Sequence, residues 1–223
     1  MRPHKILAVP VAALIAACAF SSATQAADAS VSAPALKGGE HWTYREVNPY
    51  NRTQQRTITL TLEARPQGFE LKGRSDRGTD PVLSETITSP WLVASESDGT
   101  RRRTFDPPLE SIRFPLTVGE KWKQTVQMTD ERGQTRHWRA SFRAVRWEQV
   151  KTPAGEFNAL RVERQMNLGD REASWGDTSV FDVFWYVPEV QRWVRRERRS
   201  ERHERAVEGR VERDWTVWEL VER

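Results

Sequence analysis

Apolar and polar residues alternate one by one over long stretches of this chain, a period of two that only an extended strand turns into a single buried face. Ile58, Leu60, Leu62 and Ala64 alternate with Thr57, Thr59, Thr61 and Glu63. Trp138, Ala140, Phe142 and Ala144 alternate in the same way with His137, Arg139, Ser141 and Arg143. Turn chemistry falls between such runs. Arg65-Pro-Gln-Gly68 precedes Phe69 and Leu71, Asp130-Glu-Arg-Gly133 separates two strands, and Thr152-Pro-Ala-Gly155 separates two more. Val180 to Val187 is apolar on both faces, which predicts a strand at the sheet centre, covered on both sides.

The Arg/Glu-rich stretch 192–213 needs separate treatment, because its composition also suits a charged helix. At a spacing of four it sets Arg195 against Arg199, Arg198 against Arg202, Glu197 against Glu201 and Glu204 against Glu208. Like charges at that spacing oppose a helix. The reading is a strand from Trp193 to about Arg202, a turn including Gly209, and a last strand through Trp215 to Val221. The fold class is all-β: an antiparallel curved sheet, as a sandwich or an open barrel, over residues 38–223.

An internal echo suggests two similar β modules in that one domain. Gly39-Glu-His-Trp42 and Gly119-Glu-Lys-Trp122 each open a strand series. A Pro/Gly turn and a Phe-led strand follow each, and Trp91 and Trp185 each precede an Arg-rich segment. The modules are expected to join near Asp106-Pro-Pro108.

The N-terminus is of another kind. Met1-Arg-Pro-His-Lys5 is basic, Ile6 to Phe20 is apolar, and Ser21 to Ala26 is small and polar, the order of a bacterial secretory signal. Two cleavage sites are alternatives. Ile15-Ala16-Ala17-Cys18 fits a lipobox, with residues 1–17 removed and Cys18 lipidated; Thr24-Gln25-Ala26, with Ser21-Ser22-Ala23 as a second such motif, fits ordinary cleavage, taken as removal of residues 1–26. Residues 27–37 then form a flexible leader. The expected address is the periplasm, soluble or tethered through Cys18, the only cysteine. With no internal disulfide available, stability rests on packing. Removing Arg2 and Lys5 with the signal lowers the formal charge from +4 to +2, too small an excess for a general polyanion binder.

No catalytic constellation is visible, and the chain is read as no enzyme. His41, His137 and His203 are far apart, and neither a Gly-x-Ser-x-Gly elbow nor a phosphate-cradling glycine loop occurs. No cofactor or metal site is expected. What stands out is composition: 10 Trp, and 29 Arg against 6 Lys. Arg192, Arg195, Arg196, Arg198, Arg199, Arg202 and Arg205 outnumber Glu197, Glu201 and Glu204 within one short stretch, and Arg101 to Arg103 form a second cluster. The seven arginines are the candidate anionic-ligand surface, for an envelope protein or an anionic envelope component. Nucleic acid is excluded as a partner by the compartment and the interleaved acids, and membrane contact is expected only through a lipid anchor. The alternative is a carrier that encloses an apolar or lipid ligand in a curved β cavity; a hydrolase ranks third.

Several segments resemble, in order and spacing, a group of exported proteobacterial β proteins, the domain of unknown function 3108 and TapB-like set. They are Asp106-Pro-Pro-Leu109, Phe114-Pro-Leu-Thr-Val-Gly-Glu-Lys-Trp122, Thr152-Pro-Ala-Gly-Glu-Phe157, Phe184-Trp-Tyr-Val-Pro-Glu-Val190 and Trp218-Glu-Leu-Val221. The resemblance spans residues 40–222 and implies an antiparallel β architecture. It brings no catalytic residues.

Overall fold

A computed structural model describes residues 30–78, 81–99, 101–168, 178–203 and 211–223. In chain order the strands are β1 (His41–Val47), β2 (Gln54–Arg65), β3 (Gly68–Ser75), β4 (Pro81–Ser89), β5 (Leu92–Ser97) and β6 (Arg102–Glu110). They continue as β7 (Lys121–Asp130), β8 (Thr135–Thr152), β9 (Gly155–Asn167), β10 (Thr178–Val187), β11 (Arg192–His203) and β12 (Val211–Glu222). Each pairs antiparallel with its sequence neighbour, and β12 pairs back onto β1 with Val217 opposite Val47 and Leu220 opposite Tyr44. The fold is all-β and antiparallel, and the sheet is a closed barrel rather than a sandwich or an open one. Closure satisfies the two strand edges that an open sheet would leave unpaired.

The alternation sorts residues between lumen and outside. Trp42, Ile58, Leu60, Leu62, Trp138, Ala140 and Phe142 are buried. The intervening positions carry Thr, Lys, Arg and Glu, many in surface pairs such as Arg65 with Glu63 and Arg161 with Glu163. An apolar interior behind a charged exterior is the reverse of a barrel that spans a bilayer. β10 lies between β9 and β11, and Asp182 to Val187 are all buried. Its outer face is covered because the register of β8 shifts between Ala144 and Arg146. Beyond that bulge the long β8–β9 hairpin reaches over the outer wall. Glu148 accepts a bond from Trp185 Nε1, and the Ala154 N–H donates to the Leu220 carbonyl at 3.1 Å.

The sequence echo marks two halves of six strands. The Gly39 N–H donates to the Leu62 carbonyl at 2.7 Å and Leu62 N–H to Glu40 at 2.8 Å; Gly119 donates to Ala144 at 2.8 Å and Ala144 to Glu120 at 3.0 Å. Both glycines hold positive φ, 94° and 85°, a conformation a side chain would strain. β1 thus matches β7, and the turns before Gly68 and Gly155 match each other. Two details of the expected duplication are corrected. Trp185 lies within β10, whereas Trp91 lies in the β4–β5 turn at φ 63°, where its counterpart is Gln191 at φ 58° in the β10–β11 turn. The halves join over residues 111–120, not at Asp106-Pro-Pro108, which sits inside β6. Proline removes ladder donors, and the chain bulges there instead of ending. β5 pairs Val93 with Leu109 but Ser95 with Thr104. Toward β7 the Gln124 side chain replaces the missing ladder, donating to the Pro108 carbonyl at 2.8 Å and accepting from the Glu110 N–H at 2.9 Å.

The two ends of the barrel differ. At one end Val31 and Leu116 exchange backbone bonds of 2.8 Å in both directions, and Ile112 and Leu116 are buried in the core. This end is plugged. At the other lies a cavity of about 350 Å³, bounded by residues near the opposite strand ends, among them Glu46, Ser97, Ser200 and Asp214. That is the mouth.

Candidate functional site

The candidate anionic surface is divided by the wall of the barrel. Side chains of one strand alternate between faces, and β11 adds a bulge at Val194, since Trp185 pairs with Arg195 but Tyr186 with Trp193. Arg196 and Arg198 face the lumen, where both line the mouth cavity and a smaller chamber of about 60 Å³ below it. Arg192 is buried and lines that chamber too. Arg195 and Arg199 lie on the outer wall, each held over a tryptophan, Arg195 over Trp185 at 5.0 Å and Arg199 over Trp215 at 4.3 Å. Both also reach Glu197. Arg202 is described only as backbone, paired with Thr178 and Glu212, and Arg205 and Cys18 lie outside the described residues. The seven arginines therefore form no single outward surface. Arg103, from the second cluster, also lines the mouth.

Sequence reasoning missed the partners of the inward arginines. Asp182 is fully buried, and one of its oxygens accepts two bonds from Arg164 (Nε 3.2 Å, Nη2 2.7 Å). The other accepts two from Arg196 (Nε 3.1 Å, Nη2 2.9 Å). The two guanidiniums also flank the Phe184 ring, each at 5.1 Å. Burial works to raise the Asp182 pKa, but Arg164, Arg196 and Arg198 together hold it well below the usual carboxylate range. A signal for this site was present in Val180-Phe-Asp-Val-Phe-Trp185, one carboxylate in an otherwise apolar run. A buried carboxylate requires cations brought from other strands.

Toward the mouth, Arg103 donates to Glu96 and Asp98, both at 3.2 Å. Arg56 donates to Glu46 at 3.0 Å, and Trp218 Nε1 donates to the same Glu46 oxygen at 2.8 Å. Arg198 makes no hydrogen bond or ion pair among the described residues. Deeper, the Arg192 guanidinium lies over three indoles, Trp42 at 5.2 Å, Trp91 at 4.9 Å and Trp193 at 5.1 Å. Its Nε and Nη1 have no hydrogen-bond partner. Desolvation lowers the pKa of both Arg192 and Arg198, yet a guanidinium remains charged in a protein. Glu85 lines the same chamber. Burial pushes its carboxyl up; Arg192 opposes this, Glu96 adds to it, and Arg196 and Arg164 oppose it further.

The barrel is thus closed, plugged at one end, and sets Arg192, Arg196 and Arg198 into a largely apolar interior toward the other. Among the described residues no three His, Cys, Asp or Glu side chains converge as a metal site. No family model matches the chain, and no curated protein matches it. Two solved structures are similar in backbone. One is a "putative lipoprotein" from Parabacteroides distasonis, at 13% identity and TM-score 0.40, covering 87% of this chain and 99% of that one. The other is a "putative exported protein with YmcC-like fold" from Bacteroides fragilis, at 16% identity and TM-score 0.46, covering 86% and 98%.

Proposed function

We propose that this is an exported, non-catalytic binding barrel that takes the acidic group of an anionic envelope component into its lumen. The N-terminal signal carries it to the periplasm, and retention of Cys18 would tether it there. The observation that carries the reading is Arg198, a guanidinium at the mouth cavity with no hydrogen bond or ion pair among the described residues, beside Arg196, whose charge is only half matched. A half-buried cation with no carboxylate bonded to it favours a ligand that supplies one. The mouth also has apolar wall in Val82, Leu83, Trp138, Leu168 and Trp218, which suits an amphiphile entering acid first. A long apolar tail does not fit deeper, because the chamber below, lined by Arg192, Arg196 and Arg198 among apolar side chains, measures only about 60 Å³. This moves the anionic-component reading from the outer surface to the lumen and absorbs part of the carrier reading.

Titrating intrinsic tryptophan fluorescence with octyl sulfate and octyltrimethylammonium tests it. The sulfate should bind and the ammonium should not. Arg198→Gln should weaken sulfate binding about tenfold or more, the scale of one charge-assisted hydrogen bond, without lowering the melting temperature. Equal binding of both detergents, or an unchanged sulfate affinity in the variant, would sink the reading.

Glu85 adds a pH dependence. Its charged form repels an anion in the chamber, and its carboxyl is raised by burial. Octyl sulfate affinity should therefore rise as pH falls through the raised Glu85 pKa, the ligand's own charge being fixed across that range. Glu85→Gln should flatten the profile at its low-pH affinity; a profile that keeps its step in the variant would contradict this assignment.

A further inference from the structure

We infer that the lumen is matched to a doubly charged acidic group, a phosphate monoester, rather than to a singly charged carboxylate or phosphodiester. The inference rests on the anion-binding reading above and sharpens its ligand class. It follows from which lumenal charges are already paired.

Asp182 is shared by Arg164 and Arg196, so one of those two positive charges is unmatched. Arg198 acts on Asp182 only through space, with no hydrogen bond or ion pair among the described residues, and adds a second. Arg192 adds a third: it is 3% exposed, its polar neighbour is the Tyr44 hydroxyl, and no carboxylate pairs with it. Glu96 is taken by Arg103, and Glu46 by Arg56. Asp98 and Asp214 stand at the exposed rim, where water screens them. Among the described residues that line the chamber, Glu85 remains to offset the excess, and burial shifts it toward its neutral form. Two unmatched guanidinium charges persist with Glu85 ionised, and three with Glu85 protonated.

Arg196 and Arg198 line both the mouth and the chamber below it, and Arg192 lines the chamber. The unmatched charges thus converge on one connected space. A single carboxylate would leave at least one cation uncompensated. A phosphate monoester supplies close to two charges at neutral pH and three acceptor oxygens, and guanidinium forks suit phosphate geometry. Such a group occurs on phosphorylated lipids and on sugar phosphates.

The test compares octyl phosphate with its methyl ester, which differs by one charge at nearly the same size, using tryptophan fluorescence on the exported protein. At pH 8 octyl phosphate should bind about tenfold or more tightly than the diester. At pH 5, where the monoester carries a single charge, the ratio should fall toward one; using a ratio cancels the common effect of Glu85. Arg198→Gln should also shrink the pH 8 ratio. A ratio near one at pH 8, with both ligands bound, overturns the inference and leaves the anion-binding reading intact. Failure of every anion to bind overturns both. A parallel titration with glucose 1-phosphate separates the sources: tighter octyl phosphate indicates a lipid, and tighter sugar phosphate a saccharide.

Discussion

Asp182→Asn is expected to destabilise the barrel by about 3–5 kcal/mol, the typical cost of removing one partner from a buried ion pair. The substitution keeps the volume and removes the charge on which Arg164 and Arg196 both converge. Two guanidiniums flanking Phe184 would then repel each other in a dry interior. Urea unfolding measures the loss directly. A drop below about 1 kcal/mol, the scale of a surface pair, would show that water reaches the carboxylate. Pairing the change with Arg164→Met should recover part of the stability, since one of the two unmatched cations is then gone.

The same carboxylate sets an acid limit. Its pKa in the folded protein lies below that of the unfolded chain, held down by Arg164, Arg196 and Arg198 against the opposing effect of burial. The unfolded chain therefore binds the proton first. The contribution of Asp182 is complete above the ordinary aspartate pKa of about 4 and is lost progressively as pH falls below it. Wild-type stability should fall in that acid range, and Asp182→Asn should remove this part of the slope.

Trp42→Ala is the second large effect, at about 3–5 kcal/mol for emptying a fully buried indole site. Its Nε1 also donates to the Val190 carbonyl at 3.0 Å, and its ring is one of three that face Arg192. The matching residue in the other half is Trp122, stacked on Phe142 with centroids 4.8 Å apart and with no partner for its Nε1. Trp122→Ala should cost less than Trp42→Ala, because it strands no carbonyl, and the guanidinium over its ring, Arg113 at 5.8 Å, keeps its pair with Glu110. Thermal denaturation of the two variants checks the order. A reversed order would mean that the Val190 bond and the Arg192 contact contribute little.

Most strands were legible in the chain because one face of each is apolar, and a period of two survives any tertiary arrangement. β2, β8 and the β11–β12 hairpin follow directly from that pattern, the last because helical spacing would set like charges side by side. Closure was not legible. It depends on pairing Thr43–Val47 with Val217–Glu222, segments about 170 residues apart with no local mark of their partnership. The site was half legible. The arginine excess on β11 was evident, but a strand distributes such a run between two faces, and the Val194 bulge decides which residues go inside. Arg164, Glu85 and Glu96 come from β9, β4 and β5, and only the closed barrel brings them to Arg196 and Arg198.

The plug formed by Val31 and Leu116 also fixes a direction. The chain enters the barrel at the stoppered end, so whatever holds the N-terminus holds the base of a cup whose opening points the other way. Twelve residues lie between Cys18 and Val31, so a lipid on Cys18 would moor the cup on a leash of at most about 45 Å when fully extended. A cup moored in this way cannot press its rim flat against the surface to which it is moored unless the leash doubles back along the wall. Cargo would be received from the side facing away from the mooring.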